Sequence, residues 1–99
     1  ALRLLVHHGA DRTRAVDELL KFDVVVTSYD VLASEHGKGG GPLLQVQWHR
    51  VVLDESHIIR NTKTAKYKAC VALSATYRWC LSGTPLVNSG THPLHPLEF

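Results

Sequence analysis

The sequence predicts an α/β fold, a parallel sheet flanked by helices, and three observations carry that expectation. Short apolar runs alternate with amphipathic stretches along the chain, the order expected of strands joined by right-handed helical crossovers. One run, Val24-Val25-Val26, is β-branched and apolar on both faces, as in a strand covered on both sides. Another, Val51-Val52-Leu53, ends in the polar tip Asp54-Glu55-Ser56-His57. Open α/β sheets place their chemistry at the carboxyl ends of strands, so this tip is the first place to look for function.

The elements follow in order. Residues 2–6 read as a strand and residues 12–22 as a helix, because Ala15, Val16, Leu19 and Leu20 share one face at 3.6-residue spacing, with Asp11 or Thr13 as the cap. Residues 23–29 form the doubly covered strand and residues 30–34 a short helical turn. Residues 35–42 hold Gly37, Gly39, Gly40 and Gly41 and read as a flexible surface connection. Residues 50–53 resume as a strand. Residues 64–75 read as a helix with an apolar stripe of Ala65, Ala69, Cys70, Ala72 and Leu73, capped by Asn61 or Thr62. Residues 78–81 make a fourth strand that breaks into Ser82-Gly83-Thr84-Pro85. The tail, residues 90–99, carries Pro93 and Pro96 and is expected to be irregular.

Size and composition narrow the function. Ninety-nine residues make at most one small domain with a thin stability margin. The first residues lack both an initiating Met and the charged-then-apolar order of a secretory signal, which reads as a start inside a domain. No apolar stretch approaches the roughly 18 residues that span a bilayer, so no membrane partner is expected. Cys70 and Cys80 form no CxxC pair, which gives a zinc ribbon or redox motif no support; both read as small core residues in a reduced, intracellular setting. The net charge of +2 does not identify a nucleic-acid binder. Arg60, Lys63, Lys66 and Lys68, with no acid among them, face either a phosphate backbone or simply water.

An acidic pair leaving an apolar strand is the Walker B arrangement, in which one carboxylate helps hold magnesium on nucleotide phosphates and its neighbour polarises the attacking water. Asp54 takes the metal role and Glu55 the base. Successive strand residues point to opposite sides, so the pair can share one site only if the chain turns there, with Ser56 and His57 in the turn. The same pattern is also met in ordinary solvated strand ends. A metal hydrolase built from His49, Asp54, Glu55 and His57 is disfavoured, because no H-E-x-x-H spacing is present. Ser82, Gly83 and Thr84 add hydroxyls on a glycine-bent turn, suited to sensing change at an adjacent strand tip.

Taken together, Trp48-His49-Arg50-Val51-Val52-Leu53-Asp54-Glu55-Ser56-His57, then Ile59-Arg60-Asn61, then residues 78–85 and Asn88 closely resemble the Swi/Snf-type helicase-like ATPases of superfamily two. Asp54 to His57 match that family's DExH box, motif II, and Ser82 to Pro85 its motif III. Thr27-Ser28-Tyr29 resembles the end of the motif Ib strand, and His8-Gly9 with Arg12 the segment upstream of it. The Trp48 lead-in and Ile59-Arg60-Asn61 are most similar to the helicase-like transcription factor branch, whose members often carry a RING finger and act in post-replication repair. No RING segment is present in these residues.

The resemblance implies a partial RecA-like sheet of the P-loop NTPase type over residues 1–89, the first lobe of a DNA-dependent ATPase in chromatin remodelling or DNA repair. It implies ATP and Mg2+ as cofactors, double-stranded DNA and nucleosomes as partners, and the nucleus as location. Asp54 would coordinate magnesium, Glu55 would activate water, and His57 would report the nucleotide state. Thr27 and Ser28 would contact DNA phosphate, and Ser82, Gly83 and Thr84 would couple the two sites. Backbone contacts of that kind position a protein on DNA without reading its sequence.

Two parts of such an enzyme are missing from these residues. No G-x-x-x-x-G-K-[ST] phosphate loop occurs, and residues 36–42 are no substitute for one. The second RecA-like lobe is absent too, and residues 90–99 depart from the family pattern. The strand at 78–81, without the phosphate-loop strand beside it, is expected to be an exposed apolar edge, making the isolated chain marginally stable or oligomeric and inactive alone. The alternative reading is a non-catalytic interaction or regulatory module, or a degenerate relic of the same fold.

Overall fold

The computed structural model describes residues 1–81. Ser82, Gly83, Thr84 and the tail at 90–99 therefore lie outside the described residues. Four strands and three helices follow in the order β1 (Leu4–Val6), α1 (Val16–Leu19), β2 (Val24–Val26), α2 (Tyr29–Gly37), β3 (Gln47–Leu53), α3 (Ala65–Ala72) and β4 (Ser74–Cys80). Single turns of 3-10 helix at Pro42–Leu44 and Ser56–Ile59 flank β3. Both strand pairings are parallel, β1 with β2 and β3 with β4, so the fold class is the α/β one that the strand-helix alternation predicts. The hydrogen-bonded ladders are two separate pairs rather than one continuous sheet among the described residues.

Helices α2 and α3 pack on each other and on one side of the strands. Leu32 and Val31 of α2, Ala69 and Cys70 of α3, and Leu53 and Ile59 around the end of β3 are all buried there. The opposite side is apolar and bare. Leu4, Val6, Val24 and Val26 on the first pair, and Val52, Tyr77 and Trp79 on the second, are exposed, Trp79 by 55%. Trp79 and Leu81 are exposed on this face, and β4 pairs only with β3 among the described residues.

Several boundaries differ from the sequence expectation, each for a local reason. Helix α1 is one turn long, not residues 12–22, because Thr13 Oγ1 accepts from the Ala15 amide at 3.1 Å in a tight turn and Arg12 is drawn away from a helical path. Its guanidinium donates to the Gly9 carbonyl at 2.7 Å and to Glu35 at 3.2 Å. Helix α2 runs longer than the short turn at 30–34, since Ser28 accepts from the Val31 amide at 3.1 Å and caps it. Such a cap is worth about 1 kcal/mol. Leu73, in extended conformation, ends α3 early and lets β4 begin at Ser74, inside the stretch expected to be helical.

The largest departure concerns residues 35–42, which are not a flexible connection. Glu35 is only 6% exposed, and its carboxylate accepts from His7 Nε2 at 2.7 Å, from Arg12 Nε at 3.2 Å and from the Leu43 amide at 3.1 Å. A carboxylate only accepts, which assigns the proton between the two to His7 Nε2. A Cβ placed on Gly41 would lie 2.5 Å from Glu35 Oε1, so glycine is required there by the close approach of that side chain. One acid thus gathers the tip of β1, the loop after it, the end of α2 and the turn before β3.

Cys70 is sealed from solvent and Cys80 is partly buried against the core, in keeping with their reading as core residues. Burial foremost, with Cys80 nearby, pushes the Cys70 thiol up to about 12 from an ordinary 9.0. The thiol form is therefore favoured by folding below pH 9.0, and that contribution is lost as pH rises from there toward about 12.

Three outcomes follow from the core. Glu35→Ala leaves His7 Nε2 without its acceptor and Arg12 without its carboxylate partner, and should lower the stability of the chain by about 3 kcal/mol or more, the usual cost of breaking a buried charged cluster. Gly41→Ala should cost about 1–3 kcal/mol by overpacking. Urea unfolding followed by circular dichroism checks both, and unchanged midpoints would contradict the arrangement. Because thiolate is the reactive form, Cys70 in the folded chain at pH 8 should react with a disulfide reagent at least roughly a hundredfold more slowly than in denaturant. Equal rates in the two conditions would show that the site is open.

Candidate active site

Strand β3 carries Val51 and Leu53 toward the core and delivers Asp54 at its carboxyl end. There the backbone is closed on the neighbouring strand. The Leu81 amide donates to the Leu53 carbonyl at 2.7 Å, and the Ser56 amide donates to the Leu81 carbonyl at 2.8 Å. The chain cannot run straight on past Leu53, because both sides of Leu81 hold it.

The turn forced by this closure interrupts the regular alternation of strand side chains directly after Asp54. Glu55 is in the left-handed region, with φ 52° and ψ 48°, and is the single non-glycine residue with positive φ among the described residues. For an L-residue that conformation costs on the order of 1–2 kcal/mol, and such strain persists only where neighbouring contacts hold it. Here the Glu55 amide donates to Asp54 Oδ1 at 2.8 Å, and Ile59, 1% exposed, anchors the 3-10 turn that follows. Asp54 and Glu55 both remain exposed, as a site for a charged ligand requires.

His57 lies in the turn, as its place in the motif suggests, with Nδ1 at 3.5 Å from Glu55 Oε1. Ser56 is buried, and its Oγ has no hydrogen-bond partner among the described residues. His49 does not join this group. Its ring meets Tyr77 edge-on at 5.3 Å, and no cluster of three or more metal-ligating side chains exists among the described residues.

Thr27 and Ser28 stand at the carboxyl end of β2, and each hydroxyl has a structural partner. Thr27 donates to the His7 carbonyl at 2.8 Å, clipping the tips of β1 and β2 together, while Ser28 caps α2. Between β2 and β3 runs a cleft of about 600 Å³, walled by Val24 to Tyr29 on one side and Trp48 to Asp54 on the other, with Leu32, Leu43 and Leu73 beneath.

Tyr29 joins the two tips. Its hydroxyl donates to the Asp54 carbonyl at 2.6 Å. Burial first, then the neighbouring Cys70, Cys80, Asp54 and Glu55, push the phenol above its ordinary 10.0, so it stays protonated and remains a donor. Sequence reasoning had Tyr29 only as the end of a strand. A bond spanning 25 residues leaves no local signature, and neither does the His7–Glu35 bond, which spans 28. The sole signal available was an aromatic with a polar tip directly after the Thr-Ser pair.

Comparison with known proteins places the sequence and the fold in a family. The profile of the SNF2-related domain matches residues 1–99. The chain is 44% identical over 89 residues to human helicase-like transcription factor, covering 89% of this chain and 9% of that protein. It is 38% identical over 96 residues to a putative SWI/SNF-related matrix-associated actin-dependent regulator of chromatin, subfamily A member 3-like 1, from Arabidopsis thaliana, covering 97% of this chain and 11% of that protein. Among solved structures, the Sulfolobus solfataricus SWI2/SNF2 ATPase core in complex with dsDNA superposes with a TM-score of 0.75 at 35% identity, over 90% of this chain and 17% of that one. The same core domain without DNA gives a TM-score of 0.64 at 35% identity, over 89% of this chain and 17% of that one. The chain therefore spans about a tenth of the length of the curated relatives it matches. With the acidic strand tip, the parallel β3–β4 pair and a profile match along its whole length, the chain belongs to the SNF2-related domain family, with the RecA-like α/β fold of a SWI2/SNF2 ATPase core.

Proposed function

We propose that these residues form part of the first RecA-like lobe of a DNA-dependent ATPase that acts in chromatin remodelling or DNA repair, and that Asp54 and Glu55 are its metal-holding and water-activating groups. The observation that carries this reading is the left-handed turn at Glu55, which breaks the strand directly after Asp54 and leaves both carboxylates exposed at its tip. An ordinary solvated strand end has no reason to hold that strain.

The chemistry of the donor set fits magnesium and ATP. Mg2+ is usually held through one or two carboxylates together with the substrate phosphates. Asp54 supplies a hard oxygen donor: Oδ1 is engaged by the Glu55 amide, and Oδ2 has no partner among the described residues. A bound Mg2+ would withdraw charge from the phosphate oxygens at the transferring phosphoryl group. Glu55 would accept a proton from the attacking water, and His57, beside its carboxylate, would orient it. Thr27 and Ser28 would face a DNA phosphate at the end of β2, and Ser82, Gly83 and Thr84 would relay between the two sites.

The bare apolar face supports a place within a larger lobe. A parallel sheet is normally covered on both sides, whereas Val6, Val24, Val52 and Trp79 face solvent here. On this reading a phosphate loop and a second lobe come from outside these residues, the location is nuclear, and nucleosomal DNA is a substrate. The human and plant relatives are named for transcription and for chromatin regulation, which supports that setting.

In the intact ATPase, Glu55→Gln should lower DNA-stimulated hydrolysis by roughly 10²–10⁴, the range of a lost general base, with ATP still bound. A near-normal rate in a phosphate-release assay would refute the assignment.

A further inference from the structure

We infer that Tyr29 is a positioning residue that couples the DNA-facing end of β2 to the acidic tip of β3 through the hydrogen bond from its hydroxyl to the Asp54 carbonyl. This rests on the function proposed above and assigns to that site a device for transmitting DNA engagement to the catalytic acid.

The geometry at the β3 end is specific. The carbonyl that Tyr29 holds, at 2.6 Å, belongs to the peptide plane linking Asp54 to Glu55. The N–H of that same plane is held by Asp54 Oδ1 at 2.8 Å. Both polar groups of one peptide are thus fixed. Rotation of that plane would change ψ of Asp54 and φ of Glu55 together, since they flank it, and would carry Glu55 out of its left-handed conformation. Relief of backbone strain favours that rotation, and the Tyr29 hydroxyl opposes it. The direction of the Glu55 carboxylate therefore depends on a side chain 26 residues earlier in the sequence.

At the other end, Tyr29 is the first residue of α2, one peptide bond from Ser28. Ser28 is fixed to the first turn of that helix through the Val31 amide, and Thr27 is fixed to β1 through the His7 carbonyl. Displacement of the Thr27-Ser28 segment by a phosphate is passed to Tyr29 without an intervening flexible residue. The ring is half-buried against the core, which keeps the lever short.

Tyr29→Phe separates the hydroxyl from the ring. In the intact protein it should reduce the factor by which double-stranded DNA stimulates hydrolysis at least fivefold. The KM for ATP, the DNA affinity and the unfolding midpoint should stay close to wild type. Glu55→Gln is measured beside it. Loss of hydrolysis in Glu55→Gln with a wild-type stimulation factor in Tyr29→Phe would overturn the coupling role and leave the ATPase reading standing. Full hydrolysis in Glu55→Gln would overturn that reading itself. A second readout needs no variant: DNA should slow amide hydrogen exchange across residues 54–56 of the unmodified protein, and unchanged exchange there would also overturn the proposal.

Discussion

The closure of β3 onto β4 at Leu81 is the constraint from which the rest of the site derives. Parallel strands cannot be joined by a tight hairpin, so α3 must carry the chain back before β4 can pair with β3. Once it does, Leu81 takes the Leu53 carbonyl and the Ser56 amide, and the two residues between them have no straight path left. Asp54 and Glu55 are turned outward together as a consequence. The regular strand alternation ends at Asp54, both acids stay exposed at the tip, and the cost is the left-handed backbone at Glu55.

A second constraint operates under the sheet. The buried Glu35 carboxylate is hydrogen-bonded by groups from three separate segments, which fixes the ends of β1 and α2 and the approach to β3. Burying a charge of this kind is tolerable only when it is fully paired, so the cluster specifies one arrangement more than it adds stability. The result is a rigid link between the β1–β2 pair and the β3–β4 pair, which share no strand-to-strand hydrogen bonds among the described residues. Tyr29 supplies the other link, at the strand tips.

Local features of this architecture were legible in the sequence. The β-branched run at Val24–Val26, the apolar run into Asp54 and the stripe through Ala69 and Cys70 each state their own element, and the turn at Ser56-His57 follows from the acids before it. What was not legible is what depends on distant partners. Residues 35–42 look like a flexible glycine loop because nothing in their composition reveals that Gly41 yields space to Glu35. Residues 12–15 look helical because the sequence does not show Arg12 bound to an acid 23 residues away. Ser74 and Ala75 look like the end of a helix until their register with Gln47 and Trp48 is known. Thr27 and Ser28 are expected as phosphate contacts, and nothing in their local sequence reveals that both hydroxyls also hold the fold together.

On the proposed function, the tip of β3 is a magnesium-nucleotide site with Asp54 as its protein ligand. Binding of a Mn2+–ATP complex to the intact protein, followed by electron paramagnetic resonance, tests it most directly when wild type is compared with Asp54→Asn. The substitution should weaken metal-nucleotide binding at least roughly tenfold, as loss of a charged ligand oxygen does. Unchanged Mn2+ affinity and an unchanged spectrum in Asp54→Asn would contradict it.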